Sequence, residues 1–197
     1  MKTELGIISR LLKPALGINR YPFLFRAFFR AHSLFKHSSW YKGKKDERPY
    51  ARQLALLSAV YLGLYEILGK RAANELMGQI IFEIGFKELE KSVYQNPDPM
   101  KQLELFHTSV SENGFTKFNN VETIEKTPKK LHFKIHRCFF SDFFSETGTP
   151  ELTKYFCEID GTFAAMKLPR LKFHRNGEEN TIAHGKKSCT FVFEKLR

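Results

Sequence analysis

All three cysteines of the chain lie beyond position 137, at Cys138, Cys157 and Cys189, and Arg137, Asp160, Arg175 and the His184-Gly185 pair stand among them. Cys157 and Asp160 are spaced i, i+3. On a helix that spacing puts a thiol and a carboxylate on one face, where both can act on one small molecule. A thiol becomes a nucleophile when a neighbouring cation lowers its pKa, and His184 or Arg137 could supply that charge. Asp160 could then position water or accept a proton. The structural alternative makes Cys157 a small core residue beside Phe156 and Asp160 a turn cap before Gly161.

The other candidates divide in the same way. Cys138 follows Arg137 where a strand should give way to a helix, a junction at which backbone N–H groups and a guanidinium could receive a carboxylate or stabilise a thiolate. Cys189 alternates in phase with Phe191 and Phe193, so it is either a buried apolar thiol or part of a substrate-binding wall. His184 precedes Gly185, which permits a sharp bend, and its ring could reach the Cys157/Asp160 face as acid, base or ligand. Cys138, Cys157, Cys189 and His184 could in principle hold zinc, but cysteine spacings of 19 and 32 residues match no zinc signature. No metal or other cofactor is expected. The chain also lacks G-x-x-x-x-G-K-[ST], G-x-S-x-G and H-E-x-x-H, the strongest signals for P-loop nucleotide binding, α/β-hydrolase chemistry and zincin proteolysis.

These residues need elements to position them. Leu54, Leu57, Tyr61, Leu64 and Leu68 recur with helical period, Gly69 is a natural stop, and a second helix is expected over about 71–94. A third is predicted from Pro99 to Asn113, closed by Gly114. The period changes near Phe115. Residues 117–126 and 130–137 read as a hairpin, with Leu131, Phe133 and Ile135 on one face and His132, Lys134 and His136 on the other. A short helix over 138–147 should end at Gly148, and Pro150 should open another running to about Met166. Two last strands, near 170–175 and 188–195, flank the polar loop Asn176-Gly-Glu-Glu-Asn180. The expected fold class is α+β: N-terminal helices packed on a small, mostly antiparallel sheet of about four strands.

With 197 residues, 42% hydrophobic and 27% charged, the chain has the composition of a folded protein with a sizeable core, and 20 Phe make that core rich in rings. An odd cysteine count without paired spacing points to a reducing, cytoplasmic setting. No signal peptide is expected, because Arg10 and Lys13 interrupt the first apolar stretch, and no apolar run reaches the length of a bilayer span. The net charge of +11 is concentrated at the start: residues 1–45 hold ten Lys or Arg and one Glu, for +9, and the remaining 22 basic and 20 acidic residues add +2. Residues 1–48 therefore read as a basic, Phe-rich amphipathic arm, and residues 49–197 as a single α+β domain. Arg26 and Arg30 recur at i, i+4 beside Phe25, Phe28, Phe29 and Phe35, so the rings could pack on the domain, or residues 1–45 could contact a protein or the inner face of a membrane. Trp40 to Pro49 looks like an exposed connection. Nucleic acid is the least favoured partner, since a basic arm without a reading module supplies phosphate affinity alone.

The order of motifs over about residues 50–197 resembles the L-2-amino-thiazoline-4-carboxylic acid hydrolase family. The matching pieces are Arg137-Cys138 before an aromatic helix, Gly-x-Pro-Glu-Leu at 148–152, Phe-Cys-x-x-Asp at 156–160, a Leu-x-Phe strand followed by Arg175, and Gly-x-x-x-Cys-x-Phe-x-Phe at 185–193. The five residues Asn176 to Asn180 separate Arg175 from Thr181, a departure from that pattern. The resemblance implies hydrolytic ring-opening, or C–N hydrolysis, of a small carboxylated cyclic amidine. It implies Cys157, Asp160 and His184 as catalytic residues and Arg137, Cys138, Arg175 and Cys189 as substrate-binding ones. Cys157 would be nucleophile or water-positioning thiol, Asp160 base or amidinium partner, and Arg137 the carboxylate clamp. The competing expectation is a non-enzymatic binding or sensor module, with Phe-rich helices enclosing an apolar ligand and the basic arm meeting a membrane or partner.

Overall fold

The computed structural model describes residues 2–43, 45–113, 115–177 and 179–196. Its elements are α1 (Lys2–Leu16), α2 (Arg20–His37), α3 (Arg48–Glu90), α4 (Pro99–Asn113), β1 (Asn120–Thr127), β2 (Lys130–Arg137), α5 (Phe139–Glu146), α6 (Leu152–Lys167), β3 (Leu171–His174) and β4 (Cys189–Lys195). The strands form one antiparallel sheet in the order β1-β2-β4-β3. The fold class is α+β. Two compact units are defined, residues 1–84 with 143–155, and residues 85–142 with 156–197.

The first unit is helical. In α2, Phe23, Ala27, Ala31 and Phe35 recur every four residues and are buried, whereas Phe25, Phe28 and Phe29 are exposed. Gly63 of α3 lets the Phe23 ring approach so closely that an added Cβ would lie 2.8 Å from it. The helical period expected for α3 holds, with Leu54, Leu57, Tyr61 and Leu64 buried and the helix interrupted at Gly69, whose φ of 78° only glycine adopts at low cost. By length and composition α3 could cross a membrane, but 56% of its most apolar stretch is buried inside the protein. Pro14 does not end α1, because it falls within the last turn and removes a single N–H there. Trp40, expected in an exposed connection, is buried 5.2 Å from the Phe143 ring. The backbone N–H and hydroxyl of the adjacent Ser39 donate to Glu146, at 2.5 and 2.8 Å, and hold that turn in place. Gly148, at φ 72°, ends α5 as expected, and Thr149 N–H returns to the Phe144 carbonyl at 2.8 Å.

The second unit holds the sheet. Strand alternation places Leu131, Phe133 and Ile135 of β2, Leu171 of β3 and Cys189 and Phe193 of β4 in one core with Met100 and Leu103 of α4 and Ala164 and Leu168 of α6. Each large apolar side chain so buried contributes about 1.5–3 kcal/mol. Phe133 stacks on Phe191 with ring centroids 4.8 Å apart. The opposite row carries the polar side chains: His136 meets Glu122 at 2.7 Å and His174 meets Glu194 at 3.5 Å. β1 starts three residues later than its sequence suggests, because residues 115–118 form a 3-10 turn. Its register slips between Thr123 and Glu125, which turns Ile124 outward. The expected stop at Gly114 lies outside the described residues.

Candidate active site

Arg175 is the hub of a polar cluster inside the second unit. It follows β3, is 8% exposed, and lies over the Phe191 ring at 4.2 Å. One terminal nitrogen donates to the Thr190 carbonyl at 3.3 Å; the other donates to the Cys157 carbonyl at 3.3 Å and to the Asp160 carboxylate at 2.5 Å. The guanidinium thus meets α6 at the Cys157 backbone carbonyl and the Asp160 side chain. Asp160 keeps 30% of its side-chain surface open.

The connection from β3 to β4 completes the cluster. Asn176 and Gly177 both take positive φ and turn the chain away from β3. The Asn180 side-chain amide donates to the Arg175 carbonyl at 3.0 Å and to the Thr190 hydroxyl at 3.1 Å, fastening the loop to both strands. A 3-10 turn, Ile182–His184, closes on Gly185 at φ 79°. The N–H of Ile182 points at Cys189 Sγ, 3.2 Å away.

The two thiols of the cluster are unequal. The neighbouring Cys157 thiol, with help from the Ile182 N–H and the Arg175 charge, lowers the Cys189 pKa below the ordinary thiol range against the opposing effect of burial. The neighbouring Cys189, then burial, then the Asp160 carboxylate drive the Cys157 thiol far upward. The direction follows from the surroundings: Cys189 has the N–H donor, and Cys157 shares a helix face with the acid. The two sulphurs titrate as a coupled pair, and the first proton loss belongs to the dyad, not to either residue. Cys189 is buried and Cys157 is half-buried. Burial also pushes the Asp160 carboxyl upward, against the pull of Arg175.

The remaining candidates lie around this centre. Cys138 is buried in the same core as Cys189, its thiol pushed up to about 11 by burial. Arg137 ends β2 on the row that carries Ile135, and Ile135 pairs with Cys189. It therefore stands at the sheet end where β4 begins, about 7 Å along the strand from that pairing. Its half-exposed guanidinium donates to Asp142 at 2.7 Å. His184 is exposed, with Nδ1 2.9 Å from the Thr181 hydroxyl. Among the described residues, no group of three or more His, Cys, Asp or Glu side chains is placed to hold a metal ion. Sequence reasoning missed Asn180, Thr190 and the Ile182 N–H. A backbone donor has no sequence signature; for Asn180, a polar residue closing a turn before a strand was the available signal.

Every part of this cluster belongs to the stretch matched by a family model. The model described as L-2-amino-thiazoline-4-carboxylic acid hydrolase aligns with residues 50–193. The chain belongs to that family. Within this thiazoline-carboxylate hydrolase family member, the matched stretch takes in Arg137, Cys157, Asp160, Arg175 and Cys189. No curated protein matches the chain. Among solved structures, it is similar to the Fe(II) unliganded H-NOX protein from K. algicida, at a TM-score of 0.40 and 12% identity, covering 99% of this chain and 96% of that one. It is also similar to an H-NOX protein from S. oneidensis in the Fe(II)NO ligation state, at a TM-score of 0.40 and 12% identity, covering 98% and 99%. Likeness at that level carries no argument about this chain.

Proposed function

We propose that the protein is a hydrolase that opens a small cyclic amidine bearing a carboxylate, with 2-amino-thiazoline-4-carboxylate as the test substrate. The observation that carries this reading is the Asp160–Arg175 ion pair with the Cys157 carbonyl on the same guanidinium and the N–H-bonded Cys189 thiol in the same cluster. An amidinium carbon is attacked readily by sulphur once the cation is held and the sulphur has somewhere to leave its proton. Asp160 pairs with the amidinium, and Arg175 positions Asp160 and the Cys157 backbone. Arg137 receives the substrate carboxylate with its half-exposed guanidinium.

The half-buried Cys157 sulphur then bonds to the amidine carbon as its proton passes to the Cys189 thiolate. The ring bond from that carbon to nitrogen breaks, the departing nitrogen takes the proton from Cys189, and the opened substrate stays bonded to Cys157. Water adds to the same carbon and gives its proton to Cys189. The carbon–Cys157 bond breaks as Cys189 returns its proton to Cys157, and the new hydroxyl gives its remaining proton to the freed amine, so the oxygen remains in the product as a carbonyl. The sum is substrate plus one water, and the dyad ends as it began.

The test is incubation of the purified chain with the thiazoline carboxylate and mass spectrometry of the small molecules. A gain of one water by the substrate is expected with the wild type and its loss with Asp160→Asn. Equal product from both, or none from the wild type at any pH between 6 and 9, overturns the assignment.

A further inference from the structure

One surface of the first unit stands apart from this chemistry. On α2, Tyr21, Phe25, Phe28, Phe29, His32 and Lys36 recur at i, i+4, i+7, i+8, i+11 and i+15, a single stripe along the helix. This stripe lies beside, not on, the buried row at Phe23, Ala27, Ala31 and Phe35. Its rings are open to solvent: Tyr21 is 56% exposed, Phe25 66%, Phe28 53% and Phe29 59%, and Ile18, just before the helix, 78%. Phe29 touches both neighbours edge-on, with centroids 4.8 Å from Phe25 and 6.3 Å from Phe28, so the rings form one patch. Contiguous exposed rings of this kind mark a surface that is covered in use.

The charges around the patch choose among its occupants. Arg10 and Arg30 are engaged by Glu83 and Glu66 of α3. Lys13, Arg26 and Lys36 are exposed and make no ion pair among the described residues. Arg20 lies over the Tyr21 ring at 4.2 Å, at one end of the stripe. A second copy of this chain would bring +9 against +9 over residues 1–45, which opposes a symmetric dimer through this face. An anionic surface with an apolar interior satisfies both components.

We propose that the stripe Tyr21–Phe25–Phe28–Phe29, with Arg26 and Lys36 on the same helix, docks the protein on an anionic lipid bilayer. The rings enter the boundary between headgroups and acyl chains, and the cations meet lipid phosphates. The contact is peripheral, because α2 lies along the surface with its other row buried in the protein. It is independent of the hydrolase reading and uses none of its residues.

The test is flotation of the full chain with vesicles of phosphatidylcholine alone or mixed with phosphatidylglycerol, at low and high salt. Binding is expected only to the anionic vesicles, weakening as salt rises. Phe25→Ser/Phe28→Ser/Phe29→Ser and, separately, Arg26→Glu/Lys36→Glu should each weaken it by at least about tenfold. All five positions are on the surface, and the charge-reversal variant tests the proposal even if the serine variant misfolds. Failure to float with anionic vesicles at low salt overturns the proposal, as does flotation unchanged by both variants. Retention on single-stranded oligonucleotide without vesicle binding, or a dimer that the serine variant dissociates in a wild type that does not float, likewise overturns it.

Discussion

Replacing either Cys157 or Cys189 with Ala should deplete the thiolate that the wild type holds near neutral pH. In the intact dyad the first proton leaves below the ordinary thiol range, because Cys157, the Ile182 N–H and the Arg175 charge favour the Cys189 thiolate. Without Cys157, Cys189 loses the largest effect that lowers its pKa and keeps the Ile182 N–H and the Arg175 charge against burial, so its pKa rises. Without Cys189, Cys157 keeps its burial and the Asp160 carboxylate, which hold it above the ordinary value of about 8.5. Each pH unit of that rise is worth about 1.4 kcal/mol of differential interaction. At pH 7 the thiolate fraction should therefore fall, by up to about tenfold for each unit of the rise. Ultraviolet thiolate absorbance, titrated on the wild type and both variants, reads this directly. Cys138 does not interfere, since burial holds it at about 11. Survival of a transition near pH 7 in either single variant would refute the coupling and place the low pKa on one isolated sulphur.

The turnover rate should rise with pH through about 7, following loss of the dyad's first proton, and Cys189→Ser should lower kcat by about a hundredfold or more while leaving binding nearly unchanged. Stability has a window of its own. The depressed Cys189 pKa contributes stability that is present above the unfolded value of about 8.5 and lost as pH falls through 7, whereas the raised Cys157 pKa withdraws stability once the unfolded thiol ionises above about 8.5. Denaturant midpoints should therefore climb between pH 7 and about 8.5 and then decline, and a flat profile in that range would contradict the dyad. Arg137→Ala should raise KM about ten- to a hundredfold with kcat little altered, as expected for a charged hydrogen bond to the substrate carboxylate, and steady-state kinetics separate the two parameters. Gly63→Ala should gain about 1 kcal/mol of helix propensity and lose about 1–3 to its collision with the Phe23 ring, for a net fall in thermal midpoint.

The parts legible in the sequence were those set by local periodicity. Alternation in β2 and β4 assigned Leu131, Phe133, Ile135, Cys189 and Phe193 to one face, and that face is the core. The spacing of Cys157 and Asp160 gave their common helix face. Arg175 could be named from its motif, but its three acceptors come from α6 and β4, and contacts between distant segments leave no local trace. The same holds for the Ile182 N–H, which depends on the turn closed by Gly185. Trp40 was misjudged because Lys42 to Arg48 is charged, and the ring's burial depends on Phe143, about a hundred residues onward. Periodicity showed that α2 is amphipathic, but which rings are buried follows from a second row, Phe23 to Phe35, that only packing distinguishes.

The claim that Cys157 attacks the amidine carbon while Cys189 carries the proton is tested most directly by intact-protein mass spectrometry of acid-quenched reactions with the thiazoline carboxylate. The account predicts a transient adduct carrying the mass of the opened substrate, mapped by proteolysis to Cys157, absent from Cys157→Ala and slow to form in Cys189→Ser. Product release without an adduct at any quench time, or an adduct on Cys138, would contradict it.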